Sequence, residues 1–357
     1  MYQGKKISVA MATYNGEKYI REQLESILNQ TVVPDEIVVS DDGSSDHTLE
    51  IIQSIVSSPL GGNIEIKVLT DNMQHGSAYN FAYALRHVSG DIVFLADQDD
   101  IWMPEKVLRI SQCFLANADA QLVFHNAVSV DAYGKPFDCL FSSMIQMLAQ
   151  KCAEGESIKL PRSEYCHIAA SSPFVNGMVM ACSRKLLDTA FPFPRISNMH
   201  DGWLFFCSEV QDSCFYLNLV LTQRRLHENN VTVSYAQRNI IKRALKVLHQ
   251  IPRHKRDISN RYIFASCMKA YYMKYCPDEK ESNNQAQITI QNILKIGEAE
   301  LDAGRSGRIS GAIKLIRLYR HNIRYRSAGT KAFLYELADI ILRSKKKRVA
   351  SIMESGL

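Results

Sequence analysis

Over the first 120 residues, apolar side chains alternate between two spacings. Ile7, Val9 and Met11 alternate with small residues at the period of a strand, and the run breaks at Tyr14-Asn15-Gly16. Ile20, Leu24, Ile27 and Leu28 then mark one face of a helix. The unit recurs: a β-rich run over 36–40 stops at Asp41-Asp42-Gly43-Ser44, and Leu49, Ile52 and Val56 follow at helical spacing behind the capping pair Ser45-Asp46. The same reading predicts a strand over 64–69, a helix near 78–88, a continuously apolar strand over 91–96 and a helix opened by Pro104 that runs to about Ala116. Beyond Asp131 the alternation loosens. A long segment to Pro173 precedes a predicted strand over 178–182, a helix from Arg184 and another over 202–210.

Strands and helices alternating at this spacing predict an α/β fold with a mostly parallel sheet, wound by right-handed crossovers. Ligands of such sheets sit beyond the carboxyl ends of the strands. The acidic groups Asp41-Asp42 and Asp97-Gln98-Asp99-Asp100 fall at two such ends. The strand-to-helix turns contain neither G-x-G-x-x-G nor G-x-x-x-x-G-K-[ST], which disfavours a dinucleotide site or a P-loop.

Composition adds a division of the chain. With 357 residues, 46% hydrophobic and 22% charged, a packed core is expected. The net charge of +5 conceals a split: residues 1–235 hold 17 basic and 27 acidic side chains, whereas 236–357 hold 25 and 10. An acidic catalytic part (1–235) and a basic helical part (236–357) are therefore expected to face different partners. Apolar stripes opposed by Lys and Arg over 239–250 and 331–348 fit either docking on an anionic lipid surface or packing against the first part or another subunit. No run reaches the ~18–20 apolar residues of a membrane span, and the first residues lack the apolar core of a signal peptide. Nine cysteines with no C-x-x-C pair read as reduced thiols. These features predict a cytoplasmic protein, with the inner membrane surface as a site of peripheral attachment.

Two kinds of chemistry suit the acidic strand ends. Asp97 and Asp99, two apart with Asp100 adjacent, can hold a hard divalent cation, Mn²⁺ or Mg²⁺, that counters a diphosphate; equally, Asp99 and Asp100 can simply cap the next helix. A carboxylate of Asp41-Asp42 can accept the N3–H of a uracil or thymine ring, or the segment can be a plain Asx turn. Both clusters at one edge of one sheet favour a nucleotide pocket.

From Ile7 to about Ser234 the chain resembles the family 2 inverting glycosyltransferases, which have the GT-A fold. The resemblance rests on Ser8-Val9-Ala10-Met11-Ala12-Thr13-Tyr14-Asn15-Gly16, Leu28-Asn29-Gln30-Thr31, Asp41-Asp42-Gly43-Ser44-Ser45-Asp46 and Asp97-Gln98-Asp99-Asp100-Ile101-Trp102. It implies that Thr13, Asn15, Asp41 and Asp42 line a base and ribose pocket, that Asp97 approaches the ribose and that Asp99 holds the metal. Asn72, Gly76 and Asn80 match another family stretch, with Asn80 on the donor side. Met199-His200-Asp201-Gly202-Trp203 looks like the segment that carries the catalytic base, implying Asp201 in that role, Trp203 on the acceptor side and no chemistry for His200. Asn176-Gly177-Met178-Val179-Met180 resembles the loop under the acceptor, where glycine permits close backbone approach.

Arg224-Arg225-Leu226-His227-Glu228-Asn229-Asn230-Val231 resembles a closing motif of rhamnosyltransferase-like members. It implies Arg224 or Arg225 against phosphate and His227 in the metal shell or against the diphosphate, and a structural His227 is equally compatible. The Q-x-x-R-W signature of processive synthases is absent at Gln223-Arg224-Arg225-Leu226, which favours transfer of a single sugar. The expected donor is dTDP-L-rhamnose or a UDP-sugar and the expected acceptor a glycan, including a lipid-linked precursor of a bacterial surface polysaccharide. Two other classes compete. A sugar-nucleotide pyrophosphorylase would need a glycine-rich basic loop where Tyr14-Asn15-Gly16-Glu17 stands. A nucleic-acid-binding module would have to overcome the field of the acidic part.

Overall fold

Neighbouring residues of the first strand face opposite sides of a sheet, and each side has its own core. The computed structural model describes residues 1–62, 64–70, 76–137, 142–171, 175–194, 200–228, 230, 264–277, 286–291 and 293–295. In β1 (Ile7–Thr13), Ile7, Val9 and Met11 enter one apolar cluster, where they meet α1 (Ile20–Leu28), α2 (Thr48–Val56) and, further along the chain, α4 (Lys106–Ala116). Ala10 enters the other, with Val38 of β2 (Glu36–Asp41) and Phe81 and Leu85 of α3 (Ser77–His87). The period-2 pattern of the strands is thus what distributes the helices over both faces.

β3 (Glu65–Thr70), β2, β1 and β4 (Ile92–Asp97) lie side by side and parallel, as the sequence predicts. Beyond β4 the sheet becomes mixed. Its full order is β3-β2-β1-β4-β8-β6-β9-β5, with β7 paired to β9. Here β5 is Ile101–Trp102, β6 Leu122–Val130, β7 Ser157–Lys159, β8 Met180–Ser183 and β9 Cys214–Arg225. α5 (Ser143–Ala149), α6 (Arg162–Ser171), α7 (Arg184–Ala190) and α8 (His200–Val210) join α3 on its face, and Ile145, Cys166, Leu187 and Phe205 add to that core.

Two expectations shift. The strand predicted over 178–182 is a 3-10 turn, Gly177–Val179, followed by the short β8, which runs antiparallel between β4 and β6. The helix predicted over 202–210 begins at His200, so Asp201 lies within its first turn. The basic segments 239–250 and 331–348 lie outside the described residues. Of the carboxyl-terminal part, residues 264–275 form a helix that joins the α8 core, with Phe264 and Tyr271 rings 5.9 and 5.4 Å from Trp203. Among the described residues no helix is long and apolar enough to cross a membrane.

Candidate active site at the carboxyl ends of the strands

Register brings the first site residues together. Thr13 is opposite Asp41 across β1 and β2, and Ala12 is opposite Asp97 across β1 and β4. Asp41 is buried and turned inward: its two oxygens accept the Thr13 hydroxyl (2.7 Å), the Ser44 amide (2.8 Å) and the Ser44 hydroxyl (2.6 Å). Asn15, at φ +48°, completes the turn by accepting the Ser45 amide at 2.8 Å. Thr13, Asn15 and Asp41, expected from the family resemblance to contact the donor, thus spend these groups on one another and on the β2–α2 turn. Asp42 is buried and accepts the Gly76 amide at 2.9 Å, and Asn80 donates to the Thr13 carbonyl at 3.1 Å. The amino end of α3 is thereby tied to the pocket wall. Asn72 lies outside the described residues.

The second acidic turn follows β4. Gln98 donates to the Tyr14 carbonyl (3.0 Å) and accepts the Tyr14 amide (2.8 Å). Asp99 Oδ2 meets His227 Nε2 at 2.9 Å and Asn230 Nδ2 at 3.1 Å. Asp100 points into the protein, where one oxygen accepts the Arg225 amide at 3.0 Å and the other has no partner among the described residues. Burial, with Asp99 and Asp97 nearby, raises its carboxyl well above the usual range. Burial and the carboxylates of Asp99 and Asp201 push Asp97 up to about 7, against the opposing pull of Arg224 and Lys106. Asp97, Asp99, Asp201 and Arg224 therefore share one electrostatic environment, although they come from three distant parts of the chain.

Asp201 is mounted at the start of α8, where its Oδ1 accepts the Gly202 amide at 2.7 Å. His200 beside it stacks on Phe81 at 4.1 Å, and burial pulls its imidazole below the ordinary value. A side chain at Gly177 would come within 2.9 Å of His200 Nε2, so glycine there lets the 3-10 turn and α8 approach each other. Asn176 leads into that turn, where its backbone carbonyl accepts the Val179 amide at 3.1 Å. Trp203 is a correction: it is 4% exposed, donates its indole N–H to the Ala190 carbonyl at 2.8 Å and packs on Phe206, Phe264 and Tyr271. Two positions after Asp201 the helix has turned its side chain from the cleft to the core, which removes Trp203 from the acceptor side.

Of the two arginines expected against phosphate, Arg225 is a correction, being buried as a brace of the acidic turn, and Lys106 is a support that the sequence reading missed. Arg225, 2% exposed, donates to the Asp99 and Ala132 carbonyls, pairs with Glu22 and lies over Tyr19, whose ring stacks on His227 at 4.7 Å. Lys106 is wholly buried. Its ammonium donates to the Met178 carbonyl at 2.7 Å and the Thr222 hydroxyl at 2.9 Å, with the Trp102 ring 4.0 Å away. Burial lowers its pKa to about 7, resisted by Asp100 and Asp97. Its position on the apolar face of α4, beside Val107 and Ile110, was the available signal.

Among the described residues no three His, Cys, Asp or Glu side chains converge as a complete metal site. Asp99 and His227 nevertheless fit a partial one. Their Oδ2 and Nε2 atoms already meet at 2.9 Å, so one ion can replace the hydrogen bond between them and leave its remaining positions to phosphate and water.

The sheet and its flanking helices form the GT-A arrangement: mixed α/β around a mostly parallel central sheet. Solved structures with that arrangement include Staphylococcus aureus TarS 1–349 in complex with UDP-GlcNAc, at TM-score 0.53 and 17% identity over 96% of this chain and 92% of that one. Another is the mannosyltransferase PcManGT of Pyrobaculum calidifontis in complex with GDP-Man and Mn²⁺, at TM-score 0.50 and 17% identity over 94% and 86%. Residues 8–137 match the model of Glycosyl transferase family 2. It is 28% identical over 234 residues to an uncharacterized glycosyltransferase of Nostoc sp., covering 65% of this chain and 68% of that protein. It is also 40% identical over 121 residues to the dTDP-rhamnosyl transferase RfbG of Shigella flexneri, covering 33% of this chain but only 38% of RfbG.

Proposed function

We propose that the protein is an inverting, divalent-cation-dependent glycosyltransferase that moves a single sugar from a nucleotide-sugar to a hydroxyl of a glycan acceptor. The observation that carries this reading is the contact of Asp99 Oδ2 with His227 Nε2, 2.9 Å, in the turn after β4, with the Asp201 carboxylate of α8 near enough to help raise Asp97 in the same turn. Asp42 and Asn80 line the donor end, with Asp42 the acceptor for a base N3–H. Asp99 and His227 would hold Mn²⁺ or Mg²⁺, which when bound supplies Lewis-acid neutralisation of the diphosphate. Arg224 adds positive charge beside Asp97. Asp201 takes the proton of the acceptor hydroxyl as that oxygen bonds to the anomeric carbon, and the bond from that carbon to the diphosphate breaks on the opposite face. Gly177 and Asn176 shape the backbone beneath the acceptor.

The Shigella relative supports dTDP-L-rhamnose as donor, and the nucleotide-sugar in the TarS complex supports a UDP-sugar equally; the acceptor in this reading is a surface-polysaccharide precursor, including a lipid-linked one. We also propose residues 1–235 as the catalytic unit and the basic remainder as its docking surface, for an anionic membrane or a second copy of the chain. The test uses the full chain with Mn²⁺ or Mg²⁺, a panel of dTDP-, UDP- and GDP-sugars, and chromatographic detection of nucleoside diphosphate. At least one donor is expected to be consumed in an acceptor-dependent manner, and Asp201→Asn is expected to lower that rate by at least about 100-fold with the fold intact. An Asp201→Asn protein with wild-type turnover would remove the residue's role.

A further inference from the structure

Lysine is seldom sealed inside a protein, because removing an ammonium from water is costly unless its donors are met and its charge is balanced. Lys106 satisfies its donors through segments that all lead to the proposed site. Its two hydrogen bonds run to the carbonyl of Met178, inside the Gly177–Val179 turn, and to the hydroxyl of Thr222, on β9 just before Arg224 and Arg225. The indole it faces belongs to Trp102 on β5, which directly follows Asp97–Asp100. A single atom therefore touches the acceptor-side turn, the strand that delivers the closing motif and the strand that leaves the acidic turn. An apolar side chain of the same length would fill the space and join none of them.

We propose that Lys106 is a positioning residue, a buried strut that fixes the spacing between the acidic turn on the donor side and the Gly177–Val179 turn on the acceptor side. The role rests on the proposed glycosyl transfer, and part of its test does not. The strut holds reacting groups at a set separation, so its loss acts on the transfer step more than on nucleotide binding. A side chain that merely filled the core would instead lower everything together.

The experiment uses Lys106→Met and the volume-conserving Thr222→Val in the full chain. Hydrogen exchange read by mass spectrometry is expected to rise at least about 10-fold in Lys106→Met peptides covering residues 177–180 and 222–225, with β1 unchanged. Thr222→Val, which removes one partner only, is expected to show the same pattern at smaller amplitude. Calorimetric affinities for UDP and dTDP, each with Mn²⁺, are expected to stay within about threefold of wild type, while kcat with the active donor falls about 30-fold or more. Unchanged exchange at 177–180 in both variants overturns the proposal. So does faster exchange across the whole sheet with proportionate loss of nucleotide binding. If no donor of the panel is consumed by the wild-type chain, the function reading fails while the exchange data still decide the strut.

Discussion

The two acidic turns are alike in sequence and are built in opposite ways. In Asp41-Asp42-Gly43-Ser44 the first acid is consumed within the turn, holding Thr13 and Ser44, and Asp42, also buried, reaches across to the Gly76 amide at the start of α3. In Asp97-Gln98-Asp99-Asp100 the last acid is the most buried, anchoring the Arg225 amide, and the third reaches His227 and Asn230 of the closing motif. A run of carboxylates at a strand end is therefore a mixture of scaffold and chemistry. In the first turn hydrogen bonding marks the scaffold acid, because Asp41, already surrounded by local donors, has little left for a ligand; in the second burial marks it, since Asp100 is 2% exposed.

Mutating one member of each kind tests the distinction. The largest effect is expected for Asp99→Asn: transfer should fall at least about 100-fold while the thermal midpoint moves by no more than about 2 °C. A large drop in midpoint with a proportionate loss of activity would class Asp99 with the scaffold acids. Within the first turn, Asp41→Ala is expected to destabilise the chain by about 1–3 kcal/mol in urea unfolding, since buried Thr13 and Ser44 lose their acceptor. Asp42→Ala, which loses the Gly76 amide, should cost less stability than Asp41→Ala and raise the donor KM about 10-fold. Equal stability losses for the two would erase the contrast.

Glu36, at the opposite end of β2, is the control with no ligand role and the smallest expected effect on transfer. Burial works to raise its carboxyl, but the hydroxyl of Ser8, the amide and hydroxyl of Ser89 and the charge of Lys6 win and hold it at about 2. A depressed pKa contributes stability above the unfolded value of 4.5, and that contribution is lost as pH falls through about 2. The penalty of Glu36→Gln, read by urea unfolding, should accordingly be full at neutral pH and shrink as pH falls below about 4.5. A pH-independent penalty would mean that the carboxylate's charge contributes nothing.

Apart from the two-residue β5, the order of strands and helices to Ala116 was legible because amphipathic periods and turn residues are local. β6 and β9 were not: their pairing, with a register shift around Asn126, depends on β8 threading between β4 and β6, which no local pattern encodes. At the site, Asp97, Asp99 and Asp201 could be picked out by residue type and by family resemblance. The inward turn of Asp41 and the core position of Trp203 could not, since each is set by which way one side chain points. The sequence signal for Lys106, a charge on an apolar helix face, says that something unusual is buried without naming its partners.

Gln98 is the residue that an acid-x-acid pattern treats as filler. Its amide group exchanges two hydrogen bonds with the Tyr14 backbone, just as a residue of a neighbouring strand would. It therefore adds one more rung to the β1–β4 ladder after the strands themselves have parted. The acids on either side inherit their spacing from that rung, so the sheet acts as a ruler for the charges beyond its end. The ruler is graduated elsewhere in the chain as well: a side chain at Gly16 would collide with Gln98 Oε1 at 2.3 Å, so the rung exists because another turn left room for it.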